Sequence, residues 1–117
     1  MSGRSSARKG AQGELEVMSI LQERGFHVER GGTQSYGARP DLYGISELHL
    51  EIKRAETVRI WDWMAQSMRD AQHFQDGKPC VIFRRNRSNW LICLNFEDFL
   101  DFYTRATNGG STSRQNE

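Results

Sequence analysis

The run Pro40-Asp41-Leu42-Tyr43-Gly44-Ile45, followed by Leu48-His49-Leu50-Glu51-Ile52-Lys53, holds two short strand-like segments joined by a tight turn. In the second segment Leu48, Leu50 and Ile52 alternate with His49, Glu51 and Lys53. Side chains on a strand repeat every two residues, so this alternation predicts a buried apolar face and an opposite polar one. Glu51 and Lys53 then point the same way, roughly 7 Å apart. Asp41, at the start of the neighbouring strand, supplies a second carboxylate. Two carboxylates with open coordination positions suit a hard cation such as Mg²⁺, which keeps several waters and takes further ligands from phosphate. The competing reading of the same residues is a hairpin whose polar face is merely solvated.

Composition narrows the possibilities around this hairpin. At 117 residues the chain is expected to form one domain with a real core and no room for a second. A net charge of +1 with 26% charged residues excludes a globally basic binder, so any nucleic-acid surface must be a local patch. No apolar run approaches a membrane span and no signal-peptide core is present, so a soluble, cytoplasmic protein is expected. Cys80 and Cys93 lie in apolar strand-like runs without a CxxC pair, which predicts reduced, buried thiols. Residues 1–7 and 107–117 are small, polar and aperiodic, so they read as flexible tails around a single domain over 8–106.

Working outward, Leu15, Val17, Met18, Ile20 and Leu21 predict a helix over Lys9–Arg24 that Gly25 stops in a left-handed cap, and Phe26–Arg30 reads as a strand. The polar loop 31–39 leads into Asp41 and offers Gln34, Ser35, Tyr36 and Arg39 as phosphate donors, or is an ordinary surface connection. Trp61, Met64, Ala65, Met68 and Ala71 recur at helical spacing and should face the sheet. Cys80–Arg84 and Trp90–Leu94 form a hairpin with a turn near Asn86–Asn89. Between Lys78 and Leu94 stand Lys78, Arg84, Arg85 and Arg87 and no acid, the clearest basic patch in the chain. With Arg4, Arg8 and Lys9, and with Arg54 after the second strand, it is placed to hold a phosphate backbone, unless it is only a solvated hairpin tip. A last helix from Phe96 to about Arg105 carries Phe96, Phe99, Leu100 and Tyr103 on one face, with Phe102 off that stripe and a candidate for a subunit contact. The order is helix, three strands, helix, two strands, helix, which reads as α/β with a mixed sheet flanked by helices.

Pro40-Asp41, nine residues and Glu51-Ile52-Lys53 together resemble the signature of the PD-(D/E)XK nuclease superfamily. Lys9-Gly10-Ala11-Gln12-Gly13-Glu14 is similar to the Lys-Gly-x-x-x-Glu helix that opens Holliday-junction resolvases of the archaeal type, and Gln66 to a glutamine that many members carry after the Glu-x-Lys strand. Similar arrangements occur in phage and prophage resolvase-like proteins and in VRR-NUC nucleases. The resemblance spans about residues 8–94 and implies the αβββαβ restriction-endonuclease-like core. It also implies an endonuclease hydrolysing DNA phosphodiesters, with Mg²⁺ (or Mn²⁺) held by Glu14, Asp41, Glu51 and the Ile52 carbonyl, and with Lys53 and Gln66 beside the reacting phosphate. Branched or double-stranded DNA is the implied partner and a homodimer the implied assembly, although the short chain after Leu94 departs from the archaeal resolvases where those dimerise. His27, His49 and His73 are not required by the pattern and read as structural or solvent-exposed. A binding module that keeps the fold without catalysis, a nuclease acting on linear DNA ends, and a small protein-interaction domain are the rival readings.

Overall fold

The computed structural model describes residues 2–31 and 40–116, with side chains described over 10–31 and 40–108. Its elements are α1 (Ser2–Glu23), β1 (Glu29–Arg30), β2 (Leu42–Tyr43), β3 (Leu48–Arg54), α2 (Ile60–Phe74), β4 (Lys78–Arg84), β5 (Leu91–Leu94) and α3 (Phe96–Asn116). The strands form one sheet in chain order, β1 to β5. Every neighbouring pair is antiparallel except β3 and β4, which run parallel in register from Leu48↔Lys78 to Arg54↔Arg84. A parallel pair needs a crossover, and α2 is that crossover. The α/β class, the mixed sheet and the element order agree with the sequence reading.

The alternation in β3 does not separate core from solvent. Leu50 and Ile52 are buried against Val17 of α1, and His49 and Glu51 on the other face are buried as well. The reason is topological: β3 is central in the sheet, with α1 on one side and α2 on the other. Val17, Leu42, Leu50, Ile52 and Cys80 make the core, with Met18, Leu21, Ile82 and Trp90 packed against it. Leu50 is 2% exposed, so truncation to Ala would cost about 2–5 kcal/mol.

Several expectations shift by a fraction of a helical turn or more. Leu15 and Ile20 are exposed, because the buried line of α1 runs through Gly13, Val17 and Leu21; a Cβ on Gly13 would sit 3.4 Å from both Arg54 and Trp90. In α2 the buried positions are Met64, Ser67 and Ala71, and Ser67 Oγ donates to the Cys80 carbonyl at 2.9 Å. Trp61, Ala65 and Met68 lie outside that line and border an open groove of about 410 Å³ with Cys93–Phe96. In α3 the order is inverted: Phe96, Phe99 and Tyr103 are exposed, while Phe102 is half-buried under the Arg105 guanidinium. The strand expected over Phe26–Arg30 is only Glu29–Arg30, and Phe26 is exposed. Both terminal helices reach into the stretches read as tails, whose Ser- and Gly-rich composition contains no proline to stop a helix. Gly25 does cap α1, at φ +91°, with Phe26 N–H donating to the Leu21 carbonyl. Both thiols are free, and burial pushes the Cys80 thiol up to about 12, which keeps it protonated and inert.

Two turns set where β3 lies along β4. After α2, Gln75 takes a left-handed conformation and Gly77 follows at φ +141°. Lys78 N–H then donates to the Glu47 carbonyl at 2.8 Å, and a Cβ on Gly77 would lie 2.4 Å from the Glu47 backbone. Only glycine fits there.

Candidate active site

Asp41 precedes β2 and turns its carboxylate onto the next strand, where Oδ2 accepts the Ile52 backbone N–H at 3.0 Å. Burial raises its pKa, the Glu51 charge raises it further, and Glu14 adds to both; the Ile52 N–H and Lys53 oppose the rise without cancelling it. The result is a carboxyl pushed up from 3.8 to about 7. Of the expected set, the charges of Glu51, Glu14 and Lys53 thus all act on the Asp41 carboxyl. Ile52 places its amide at the same spot, and Lys53 is half-buried beside it.

Glu51 is held from the α2 side. His49 is fully buried, and its Nε2 lies 3.1 Å from Glu51 Oε1 while its Nδ1 lies 2.9 and 3.0 Å from the two oxygens of Asp76. The ring stacks on Phe74, with centroids 6.1 Å apart. Burial works against a charged His49, yet the hydrogen bonds to Glu51 and Asp76 outweigh it and raise its pKa. Asp70 of α2 reaches Glu51 from above; burial first and then the Glu51 charge raise its pKa. His49, Glu51 and Asp70 bring one potential ligand atom each to within 4.8 Å of one another.

His49 is thus a buried partner of Glu51, which removes the solvent-exposed alternative for it; His27 and His73 are exposed. The strand pattern already placed His49 on the face of Glu51, and that adjacency was the available signal. Asp70 and Asp76 gave none, because each reaches β3 across α2 or the turn after it.

The remaining site residues divide. Glu14 joins the electrostatic cluster, but its Oε1 also accepts Arg30 Nε at 3.0 Å and Nη2 at 2.9 Å. Gln66 is half-buried one helical turn before Asp70 on the same face of α2. Arg84 is turned inward: its guanidinium bonds Glu16 at 2.9–3.2 Å and lies 5.2 Å from the centre of the Trp90 ring. Arg54 is similarly engaged, by Gln12 at 2.7 Å and Asn86 at 3.2 Å. Arg85 and Arg87 are exposed. Arg8 and Lys9 lie on α1, where only the backbone is described, and Gln34, Ser35, Tyr36 and Arg39 lie outside the described residues.

Residues 5–115 match the family model described as "Phage putative PDDEXK endonuclease". The chain belongs to this phage PDDEXK endonuclease family. It is also similar to "Protein D14" of Escherichia phage T5, 32% identical over an alignment of 117 positions, gaps included, that covers 80% of this chain and 72% of that protein. Among solved structures it resembles Hjc, a Holliday junction resolvase of Archaeoglobus fulgidus, with a TM-score of 0.53 and 22% identity, over 74% of this chain and 72% of the other. That likeness establishes a shared fold, the nuclease fold of the resolvase. Family membership makes the Asp41, Glu51 and Lys53 cluster the candidate centre of an endonuclease. No helix among the described residues is long and apolar enough to cross a membrane.

Proposed function

We propose that this member of the family is a Mg²⁺-dependent endodeoxyribonuclease, able to use Mn²⁺, that cuts branched DNA in preference to linear duplex in the cytoplasm of a bacterial host. The observation that carries the metal dependence is the Asp41 carboxyl, fixed on the Ile52 N–H at 3.0 Å and pushed up to about 7 by burial first and then by the Glu51 and Glu14 charges, which oppose its ionisation. A cation relieves that opposition, and an all-oxygen donor set suits Mg²⁺. Asp41, Glu51, Glu14 and the Ile52 carbonyl would hold it. Bound there, a divalent ion acidifies water and neutralises charge gathering on phosphate oxygens.

The chain's own residues do the rest. The Ile52 N–H fixes the Asp41 carboxylate, so its second oxygen points in one direction. Lys53, half-buried at the same end of β3, aims an ammonium at the attacked phosphate and stabilises its developing charge. Gln66, on the helix above, orients the water. Arg85 and Arg87 hold the backbone without reading bases. The products would carry 5′-phosphate and 3′-hydroxyl ends.

Branched DNA is supported by the resolvase character of the Archaeoglobus protein with the same fold. Two symmetric cuts across a four-way junction need two centres, which one 117-residue subunit supplies only as a twofold dimer. A panel of four-way junction, flap, linear duplex and single strand, each with and without Mg²⁺, tests the proposal. Junction cleavage that requires Mg²⁺, together with about twice the monomer mass by light scattering, is expected. Equal cutting of linear and branched DNA by a monomer removes the branched preference, and cutting unaffected by chelation removes the metal.

A further inference from the structure

We propose that His49 and Asp76 form a positioning pair for Glu51: Asp76 fixes the imidazole, and the imidazole fixes the carboxylate that faces the metal. This deepens the metal-dependent reading above and rests on it. Three observations point the same way. His49 has no exposed surface, so its ring has no water to satisfy it and its two nitrogens must be used inside the protein. Both are used on carboxylates, Nδ1 on Asp76 at 2.9 and 3.0 Å and Nε2 on Glu51 at 3.1 Å. The ring plane is set independently by Phe74, stacked at an interplanar angle of 15°.

The consequence for Glu51 is geometric. One of its oxygens accepts from His49, so the carboxylate is held in a fixed rotation and the metal meets a pre-oriented ligand. Glu51 lies on the central strand of the sheet, but a glutamate has three side-chain torsions, and the strand fixes none of them beyond the first. A buried donor fixed at its far nitrogen by a second carboxylate removes that freedom before metal arrives. The partners that hold a ligand in this way typically matter 10- to 100-fold for metal affinity or activity. Among the described residues the hydrogen bonds of Asp76 go to His49 alone, so its effect on the metal passes through that ring.

The experiment compares wild type with Asp76→Asn and His49→Gln by Mn²⁺ calorimetry, melting temperature and single-turnover cleavage of a four-way junction across a Mg²⁺ series. Asp76→Asn keeps the shape of the side chain, so it answers the question even where His49→Gln fails to fold. The expected result is a Mn²⁺ dissociation constant raised by roughly 10-fold or more in Asp76→Asn, with the Mg²⁺ half-saturation of cleavage moved in parallel and DNA affinity in Ca²⁺ unchanged. A merely structural pair would lower the melting temperature and leave the Mn²⁺ affinity of the folded protein as in wild type, which overturns the role. Loss of Mn²⁺ binding in His49→Gln with wild-type affinity in Asp76→Asn makes His49 itself a ligand and also overturns it. A wild type that cuts DNA but whose Mn²⁺ binding survives both substitutions rejects the pair alone, whereas a wild type that neither cuts nor binds Mn²⁺ rejects the metal-dependent function with it.

Discussion

The acids of α1 and the acids around β3 lie within one small domain and are treated in opposite ways. Glu16 is taken up by Arg84 and Arg54, and Glu14 by Arg30, each through a guanidinium within 4 Å. Around β3, Asp41, Glu51 and Asp70 form no ion pair with an arginine among the described residues, although the Arg69 charge acts on Asp70; they meet one another, one lysine and one buried histidine. An acid paired with arginine has its charge answered within the fold. Acids that face each other keep an unanswered charge, and that is what a cation can use and then share with a phosphate. Glu14 belongs to both regions, since it raises the Asp41 pKa while bonded to Arg30.

The sharpest test of this contrast removes an unanswered acid. Asp41→Ala or Glu51→Ala should abolish cleavage and eliminate the rise in melting temperature that Mg²⁺ gives the wild type, with the fold retained by circular dichroism. Glu16→Gln, on the other side, should leave the rate within a few-fold. If Asp41→Ala turns over like wild type, the distinction has no functional meaning.

Next in size is Lys53, proposed to act on the phosphate without holding the metal. Lys53→Ala should lower the single-turnover rate by about 100-fold or more while DNA still binds in Ca²⁺. Intact cleavage would assign the transition-state charge to another group.

The contrast also sorts the arginines. Arg85→Ala with Arg87→Ala should weaken binding to every DNA substrate and lower the salt slope by about 1 per lost phosphate contact. Arg84→Ala should instead lower the melting temperature, because it leaves Glu16 only the longer 3.6 Å pairing with Arg54 and uncovers Trp90. A flattened salt slope in Arg84→Ala alone would show that its inward pose does not hold on DNA.

The smallest expected effect is a pH dependence of metal-free stability. Between about pH 4 and 7 the folded chain keeps a proton on Asp41 that the unfolded chain has released, because the pKa rises from 3.8 to about 7 on folding. The native state binds more protons over that window, so Asp41 makes stability fall as pH rises through it, and the loss is complete above about 7. His49 and Asp70, also shifted upward, add in the same direction. Thermal melts in chelator should show the decline, and Asp41→Asn should flatten it. A wild-type profile that Asn does not change would mean that Asp41 titrates as an ordinary surface acid.

The order of elements and the Asp41, Glu51 and Lys53 constellation were legible because both are local: period-two alternation, a turn, and a short motif. What was not legible depends on what covers each face. The polar positions of β3 looked solvated until α2 was laid over them, which buried His49 and Glu51. Arg84, Arg85 and Arg87 looked equivalent in sequence, yet position 84 ends a strand facing α1 and positions 85 and 87 lie in the turn. In α2 and α3 the apolar residues cover more of the helix than one neighbour can bury, so periodicity alone did not say which of them would face inward.

Gly77 carries no polar side chain and lies twenty-six positions after Glu51, but it lets the chain pass against Glu47 closely enough for Asp76 to arrive under His49. Any side chain there would push the two turns apart and draw the carboxylate off the ring. A random mutagenesis screen scored on DNA cutting would therefore return Gly77 among the inactivating positions, as though a residue without a functional group took part in the chemistry.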